Sequence, residues 1–198
     1  MNERRQFFEE TLRATGRRNI ELVLDYIEKL GFYEAPASSM FHLNEPGGLL
    51  EHSVNVYNMA MQIKPSILAL KPEISDRLKD DSIAIAALLH DICKSNVYKP
   101  EVKRRKTPEG RWEDYQGYGV DYSWFPMGHG EKSVMMLLLC HLEITEDEML
   151  AIRWHMGPWD LNFQSNEQKS SINAAKEKCP LLSLISVADQ LAAGILEI

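Results

Sequence analysis

Hydrophobic residues recur every three or four positions along most of the chain, a spacing that is typical of amphipathic α-helices. Gly16 and Gly31 follow the first two periodic segments, where glycine often ends a helix in the left-handed conformation. Thr145 and Glu148 form the T-x-x-E pattern of a capping box, and Asp80–Asp81 can cap a further helix. The pattern predicts an all-α protein with helices over residues 3–15, 19–30, 48–63, 129–142, 168–178 and 181–196, a short helical segment between Pro65 and Pro72, a helix through residues 84–96 and one that ends near His155.

One region departs from the helical pattern. Residues 98–125 alternate polar and aromatic side chains on both sides of a Pro-Glu-Gly sequence, which predicts a β-hairpin or an ordered loop inserted between two helices. The stretch 97–111 holds six Lys or Arg and two Glu, so it is basic in a chain whose net charge is −7. Positive charge beside aromatic rings suits contacts with phosphates and bases, and the alternative is a solvated surface flap. The predicted substrate contacts in this insertion are Lys103, Arg104, Arg105, Lys106, Trp112 and Tyr115.

The composition limits the class of protein. A chain of 198 residues with 44% hydrophobic and 26% charged residues is long enough for one globular domain with a sizeable core. No apolar run approaches the ~20 residues needed to cross a bilayer, and the N-terminus lacks the apolar stretch of a signal peptide. Three widely spaced cysteines argue against a disulfide framework and suit small core residues. We therefore expect a cytoplasmic protein with one domain over residues 1–198, in which the helices of residues 1–40 pack on the remainder.

The segment AIAALLHDICKSN, residues 84–96, combines a long apolar run with three chemically active side chains. On a helix, Lys94 lies four positions after His90 and three after Asp91, so that all three can face one side. Burial of an unpaired carboxylate costs several kcal/mol. A divalent cation would satisfy both the imidazole and the carboxylate, and Asp91 could bridge two such ions.

Isolated polar residues recur on other apolar helices. His52 lies in GGLLEHSVNV, His129 begins a predicted helix, and His155 ends another. Asp189 is the charged residue of the apolar stretch LLSLISVADQLAAGIL. Each of them has an ordinary structural explanation when taken alone, such as a histidine at a helix C-terminus. Together they predict a buried metal site to which several helices contribute one group each.

This ordered set resembles the HD-domain metal-dependent phosphohydrolase superfamily, whose pattern is H…HD…H…H…D on a compact all-α core. GGLLEHSVNV and ALLHDICK are the most similar parts, and the resemblance covers residues 40–195. It implies an HD-domain helical bundle with a two-metal site. Cys93 stands where many relatives have glycine, a departure that concerns packing rather than ligation. By this resemblance one ion would be held by His52, His90, Asp91 and Asp189, and the other by His129, His155 and the bridging Asp91.

The resemblance also implies hydrolysis of a phosphoester or phosphodiester, since two cations activate a shared water and stabilise charge on the phosphoryl group. Asp91 and Lys94 are the predicted catalytic residues, and the ammonium of Lys94 would contact a nonbridging oxygen. The alternative for Lys94 is a cation at the helix C-terminus. Arg153 is a second predicted phosphate contact, with a surface salt bridge as its alternative. The ligand set admits Mn, Fe, Co, Ni, Zn or Mg, with up to two divalent ions per chain.

Two other functions use the same fold. An oxygenase branch of the superfamily holds a mixed-valent diiron centre, and degenerate members are noncatalytic binding modules. The complete ligand set and the basic insertion favour the phosphohydrolase. We expect a small phosphorylated substrate of the nucleotide type. Nucleic acid is a less favoured partner, no membrane association is expected, and a homo-oligomer is compatible with the sequence.

Overall fold

The computed structural model describes residues 3–161 and 164–198, and it confirms an all-α bundle with one inserted hairpin. Two strands, β1 (Tyr98–Lys106) and β2 (Trp112–Val120), lie between the fourth and fifth helices. The helices are α1 (Glu3–Ala14), α2 (Ile20–Lys29), α3 (Gly48–Leu70), α4 (Asp80–Leu89), α5 (His129–Leu139), α6 (Glu146–Trp154), α7 (Asn166–Lys178) and α8 (Pro180–Leu191).

Helix α4 lies at the centre of the hydrophobic core. Every residue from Ile83 to Leu89 is buried, as expected of a helix that is apolar on all sides, and α4 packs against α1, α3, α6 and α8. Phe8 of α1 and Ile185 of α8 belong to the same buried cluster. The three cysteines are free and buried, which confirms their predicted place in the core. The N-terminal helices therefore share one core with the elements that carry the predicted ligands.

Helix α3 is longer than the sequence pattern predicts. It begins after Gly47, whose φ of 84° is a left-handed conformation that favours glycine. It then continues through Pro65 to Leu70, whereas the prediction ended it before the proline. A proline inside a helix costs roughly 3 kcal/mol. Ile63 and Ile67, on either side of it, pack against the core and favour an unbroken helix.

Helix α4 differs from its prediction at both ends. Asp80–Asp81 form its first turn, where they interact favourably with the helix dipole, and Lys79 occupies the cap position instead. The helix ends at Leu89, although the apolar pattern continues beyond it. A 3-10 turn over Ile92–Lys94 follows. The polar residues of this segment therefore lie on the helix terminus and the turn, not on one continuous helix face.

The insertion is a β-hairpin and not an ordered loop, the other structure that the sequence allowed. Residues 98–106 pair in antiparallel register with residues 120–112. At the root, the N–H of Asp121 donates a hydrogen bond to the carbonyl of Val97 at 2.8 Å. Most side chains of both strands are exposed or half-buried, so the hairpin buries little of its surface against the helices.

The last two helices meet at Pro180, the first residue of α8. A π-helical turn, Ala192–Leu196, continues α8 and brings Glu197 against α3. No single helix in the described part of the chain has the length and apolar character to cross a membrane, but α7 and α8 with this turn, bent by 104°, together meet those criteria as a broken span.

Candidate metal centre

The six predicted ligands converge in one cluster. They come from five different parts of the bundle, so that the fold brings together residues far apart in the chain. The His129 side chain is 28% exposed and marks the edge of the cluster, whereas the others are at most 12% exposed. The six are His52 of α3, His90 and Asp91 directly after α4, His129 at the start of α5, His155 directly after α6, and Asp189 of α8.

Asp91 lies at the centre of this cluster, and its two carboxylate oxygens face different histidines. Its Oδ1 lies 2.6 Å from Nε2 of His129 and 3.5 Å from Nε2 of His155. Its Oδ2 lies 3.4 Å from Nε2 of His90 and 3.6 Å from Nε2 of His52. One carboxylate therefore contacts two groups of potential ligands, as a bridging ligand must.

Asp189 completes the group around His52 and His90. Its Oδ1 lies 3.1 Å from Nε2 of His52 and 4.0 Å from Nε2 of His90. Burial alone would raise the pKa of Asp189, but the hydrogen bond with His52 and the charge of the nearby histidines lower it below its ordinary value. The carboxylate is thus ionised and able to bind a cation.

The same local structure presents His90 and His155. Each directly follows the last residue of its helix and keeps helical backbone angles. Nδ1 of His90 donates to the carbonyl of Ala87 at 2.8 Å, and Nδ1 of His155 donates to that of Ile152 at 2.7 Å. A carbonyl only accepts, so Nδ1 carries the hydrogen in both rings and the lone pair of each neutral imidazole lies on Nε2. These bonds satisfy helix-terminal carbonyls and fix the orientation of both rings.

Glu197 is a residue of the site that the sequence pattern did not reveal. Nδ1 of His52 donates to its carboxylate, and the Asn55 amide donates to its Oε1 at 3.0 Å. Nε2 of His42 lies 3.8 Å from the same carboxylate. Burial alone would lower the pKa of His52, but the carboxylates of Asp189 and Glu197 raise it to about 9.

The arrangement of nitrogen lone pairs fits metal ions. Nε2 of His155 is buried without a hydrogen-bond partner, and an unsatisfied buried polar atom costs about 1–3 kcal/mol. The Nε2 atoms of His52 and His90 lie 3.2 Å apart; the raised pKa of His52 places a proton on its Nε2, and a divalent cation would displace this proton to use the lone pair. A divalent cation would accept these lone pairs together with the neighbouring carboxylates. The ligand atoms of each of three groups lie within 4.8 Å of one another: His52, His90 and Asp91; His90, His155 and Asp189; and Asp91, His129 and His155.

Close packing of α5 on α6 brings the last of these groups together. A side chain at Gly130 would collide with the backbone of Arg153, so only glycine allows this approach. As a result, the imidazole rings of His129 and His155 lie with their centroids 5.2 Å apart.

Lys94 binds the same carboxylate as the histidines. Its ammonium lies 2.6 Å from Oδ2 of Asp91. Burial opposes both charges, but their mutual attraction outweighs it, so that the pKa of Lys94 is raised and that of Asp91 is well below its ordinary value. Lys94 is therefore a largely enclosed cation beside the candidate ligands, with its side chain 13% exposed, and its contact with a phosphoryl group stays a prediction.

A cavity of about 510 Å³ opens beside His129 and Lys94. Tyr98 at the root of the hairpin, Tyr122 after the hairpin and Lys132 of α5 also line it. Tyr122 is one of the aromatic residues of the insertion whose rings the sequence pattern relates to base contacts, whereas Tyr98 and Lys132 were not predicted as contacts, because neither is unusual in its local pattern. This cavity is large enough for a small molecule, whereas a cavity of about 190 Å³ that is lined by His52, Asp91, His155 and Asp189 lies directly at the cluster.

Arg153 is engaged with carboxylates. It pairs with Glu131 and, at 2.7 Å, with Asp160, and its guanidinium stacks on the ring of Trp154. In the structure Arg153 therefore forms salt bridges, the alternative to a phosphate contact that the sequence left open. Its predicted contact with a phosphate would require exchange of a carboxylate partner.

The basic side chains of the hairpin pair across its own strands. Arg104 lies 3.0 Å from Asp114, and Arg105 lies 2.6 Å from Glu113. Within the described residues, the 510 Å³ cavity is lined by the hairpin's root and not by its predicted contacts, which are Lys103, Arg104, Arg105, Lys106, Trp112 and Tyr115. Their role in substrate binding stays a prediction.

Comparison with known proteins identifies the family. The HD domain model matches residues 49–194, a range that contains all six candidate ligands. The dihydroneopterin 2′,3′-cyclic phosphate phosphodiesterase of Methanocaldococcus jannaschii is 30% identical over 89 residues, which cover 45% of this chain and 32% of that protein. The alignment thus spans less than half of either chain, and no solved structure shows significant similarity. On the family match, which covers most of its length, the chain belongs to the HD domain family.

Proposed function

We propose that the protein is a metal-dependent phosphohydrolase that cleaves a phosphoester or phosphodiester of a small, nucleotide-like substrate. The observation that carries this proposal is the carboxylate of Asp91, whose two oxygens face separate groups of buried histidines. Membership of the HD domain family supports it. One divalent ion would be held by His52, His90, Asp91 and Asp189, and a second by His129, His155 and Asp91.

The bound ions would supply activation of a water molecule and neutralisation of charge on the phosphoryl group. The protein's part is to hold the ligands in place before the substrate arrives. Backbone carbonyls orient His90 and His155, and the Glu197 carboxylate orients His52. Because these rings are buried and fixed, little reorganisation is needed during the reaction, which lowers its barrier.

Lys94 would contact the substrate directly. Its raised pKa keeps the ammonium protonated at neutral pH, so it acts as a cation and not as a proton acceptor. It reaches Asp91 on one side and the 510 Å³ cavity on the other. A phosphoryl group bound in the cavity beside Lys94 would meet the positive charge of its ammonium. This charge would stabilise the transition state more than the ground state.

The cavity supports a small substrate. Its volume of about 510 Å³ lies in the usual range of small-molecule sites, about 300–1,000 Å³. Tyr98 and Tyr122 offer ring faces for a planar base. The name of the curated relative describes a phosphodiesterase that acts on a cyclic phosphate, so a cyclic phosphodiester is a natural first substrate to test.

The proposal is tested by turnover and metal content together. The purified protein is loaded in turn with Mn, Fe, Co, Ni, Zn and Mg, and is assayed on bis(p-nitrophenyl) phosphate and adenosine 2′,3′-cyclic monophosphate. We expect hydrolysis that requires added metal and is lost in Asp91→Asn. Dioxygen consumption by the iron-loaded protein without phosphoester cleavage would favour the oxygenase alternative. Full metal content with no reaction of either kind would indicate a binding module.

A further inference from the structure

Lys132 is a buried cation without a carboxylate partner. The residue is 3% exposed, and its ammonium donates a hydrogen bond to the carbonyl of Trp124 at 3.2 Å and lies 4.8 Å from the centroid of that ring. Across residues 3–161 and 164–198, no ion pair to Lys132 is formed. An ammonium has three hydrogens to donate, and this contact uses one. Burial lowers the pKa of Lys132, with Asp121 and Cys93 opposing this from a distance.

Lys132 belongs to the wall of the cavity next to the metal centre. Lys132 lies three residues after His129 on α5, on the same face of the helix, and both line the 510 Å³ cavity with Lys94. Asp160 also lines the cavity, but its carboxylate is bound by Arg153 at 2.7 Å. The Lys94 ammonium is likewise paired with a carboxylate. Among the described residues that line this wall, Lys132 is thus the cation with no carboxylate bound to its ammonium.

We propose that Lys132 binds a second phosphate group of the substrate, separate from the group that reacts at the metal centre. The inference rests on the proposed phosphohydrolase function and narrows its substrate to nucleotides that carry two phosphate groups. The step of three residues from His129 to Lys132 corresponds to about 4.5 Å of helix rise. A phosphate bound at Lys132 would thus lie further along α5 than the ligand His129. It would not occupy the position of the phosphate that reacts at the metal centre.

A structural role for Lys132 makes a different prediction. If its function were only to hold Trp124 against α5, loss of the ammonium would loosen the segment between the hairpin and α5. Affinity for every ligand of the cavity would then change together. If Lys132 binds a phosphate, its loss should lower the affinity only for ligands that carry the second phosphate. One binding experiment therefore distinguishes the structural role from the phosphate contact.

The experiment measures binding to the metal-loaded protein by isothermal titration calorimetry, which does not depend on turnover. The probes are adenosine 5′-monophosphate and adenosine 3′,5′-bisphosphate, which differ by one phosphate group. We expect the wild-type protein to bind the bisphosphate more tightly, and Lys132→Met to lose about 10-fold in affinity for it, the loss of one charge-assisted hydrogen bond. The affinity of Lys132→Met for the monophosphate should stay within about 2-fold of the wild-type value, because contacts that do not interact contribute independently to binding.

Matched variants complete the design. Lys132→Arg keeps the charge and should retain the preference for the bisphosphate, and Lys99→Met removes an exposed lysine of β1 as the control for net charge. Equal loss for both probes in Lys132→Met, no loss for either, or a wild-type protein that does not distinguish the probes would each overturn the inference. If Lys132→Met fails to fold, Lys132→Gln takes its place. Hydrolysis of bis(p-nitrophenyl) phosphate by the wild-type protein tests the proposed function separately, so the two failures are distinguishable.

Discussion

The carboxylate of Glu197 accepts a hydrogen bond from Nδ1 of His52, with 3.0 and 3.1 Å between the ring nitrogen and the two oxygens. The Glu197 side chain is fully buried, although it lies one residue from the end of the chain and outside the matched HD domain range of residues 49–194. The bond leaves Nε2 of His52 directed at Asp189, 3.1 Å away. Carboxylates in this position fix the tautomer of a metal-ligating histidine and strengthen its bond to the metal.

Removal of this carboxylate should weaken metal binding. We expect Glu197→Ala to lower the affinity for the first metal ion about 10- to 100-fold, the usual cost of losing such a partner. Glu197→Gln should lose less, since its amide oxygen can still accept the Nδ1 hydrogen. Competition with a metal chelator measures the affinity, and the ¹⁵N NMR spectrum of the histidine rings reports whether the Nδ1 hydrogen of His52 stays in place.

Glu73→Ala, at an exposed glutamate of the turn before α4, is the matched control for Glu197. A purely structural role would appear as a lower melting temperature with unchanged metal affinity in Glu197→Ala. That result would remove Glu197 from the metal centre.

The bridging position of Asp91 predicts a difference between two variants. Asp91→Ala should lose both ions, because each of its oxygens faces one group of ligands, whereas His129→Ala should retain one ion. Metal content per chain, measured by inductively coupled plasma mass spectrometry, distinguishes these outcomes. Asp91→Ala also leaves the Lys94 ammonium buried and unpaired, which destabilises a fold by about 3–5 kcal/mol. Circular dichroism must therefore confirm that the variant is folded, and full metal content in a folded Asp91→Ala would refute the bridge.

Lys94 should matter for turnover and not for metal content. We expect Lys94→Met to keep the ions, because Asp91 retains its histidine neighbours, and to lower kcat by about 10²–10³-fold, the cost of removing one transition-state contact. The assay is metal-dependent hydrolysis of bis(p-nitrophenyl) phosphate with the metal content measured on the same sample. Unchanged turnover would leave Lys94 as a structural partner of Asp91.

Four of the candidate ligands could be predicted because each interrupts an apolar segment with a polar group that needs a partner, and His129 and His155 because their order along the chain completes the motif. His90 and Asp91 illustrate what such a pattern omits. Ile92 and Cys93 are apolar and buried, so the helical pattern continues past the point where the helix ends at Leu89. The helix ends where the backbone hydrogen bonds change to those of the 3-10 turn, and the spacing of hydrophobic residues does not reveal this change. The six residues nevertheless meet because the helices that carry them pack around one hydrophobic core.

Glu197 and Lys132 could not be predicted for a related reason. A single glutamate near the end of a chain looks like an exposed residue, and Glu197 is buried only because the π-helical turn over Ala192–Leu196 directs it toward α3. Lys132 follows Glu131 in a mixed polar segment and is buried by the loop that carries Trp124. Both environments arise from parts of the chain that are remote in sequence or irregular in structure.

The charges of the hairpin should act on the substrate at long range. Arg104 and Arg105 already pair with carboxylates of β2, and the cavity is reached by the hairpin's root at Tyr98. Replacement of the basic residues 103–106 by Gln should therefore weaken binding of adenosine 3′,5′-bisphosphate at low ionic strength and have little effect above about 0.5 M salt, where charges are screened within a few ångströms. Tyr98→Ala should weaken binding at every salt concentration, because it removes a wall of the cavity. Affinity that depends neither on these four charges nor on ionic strength would exclude the hairpin from substrate binding and leave it as a surface element of the fold.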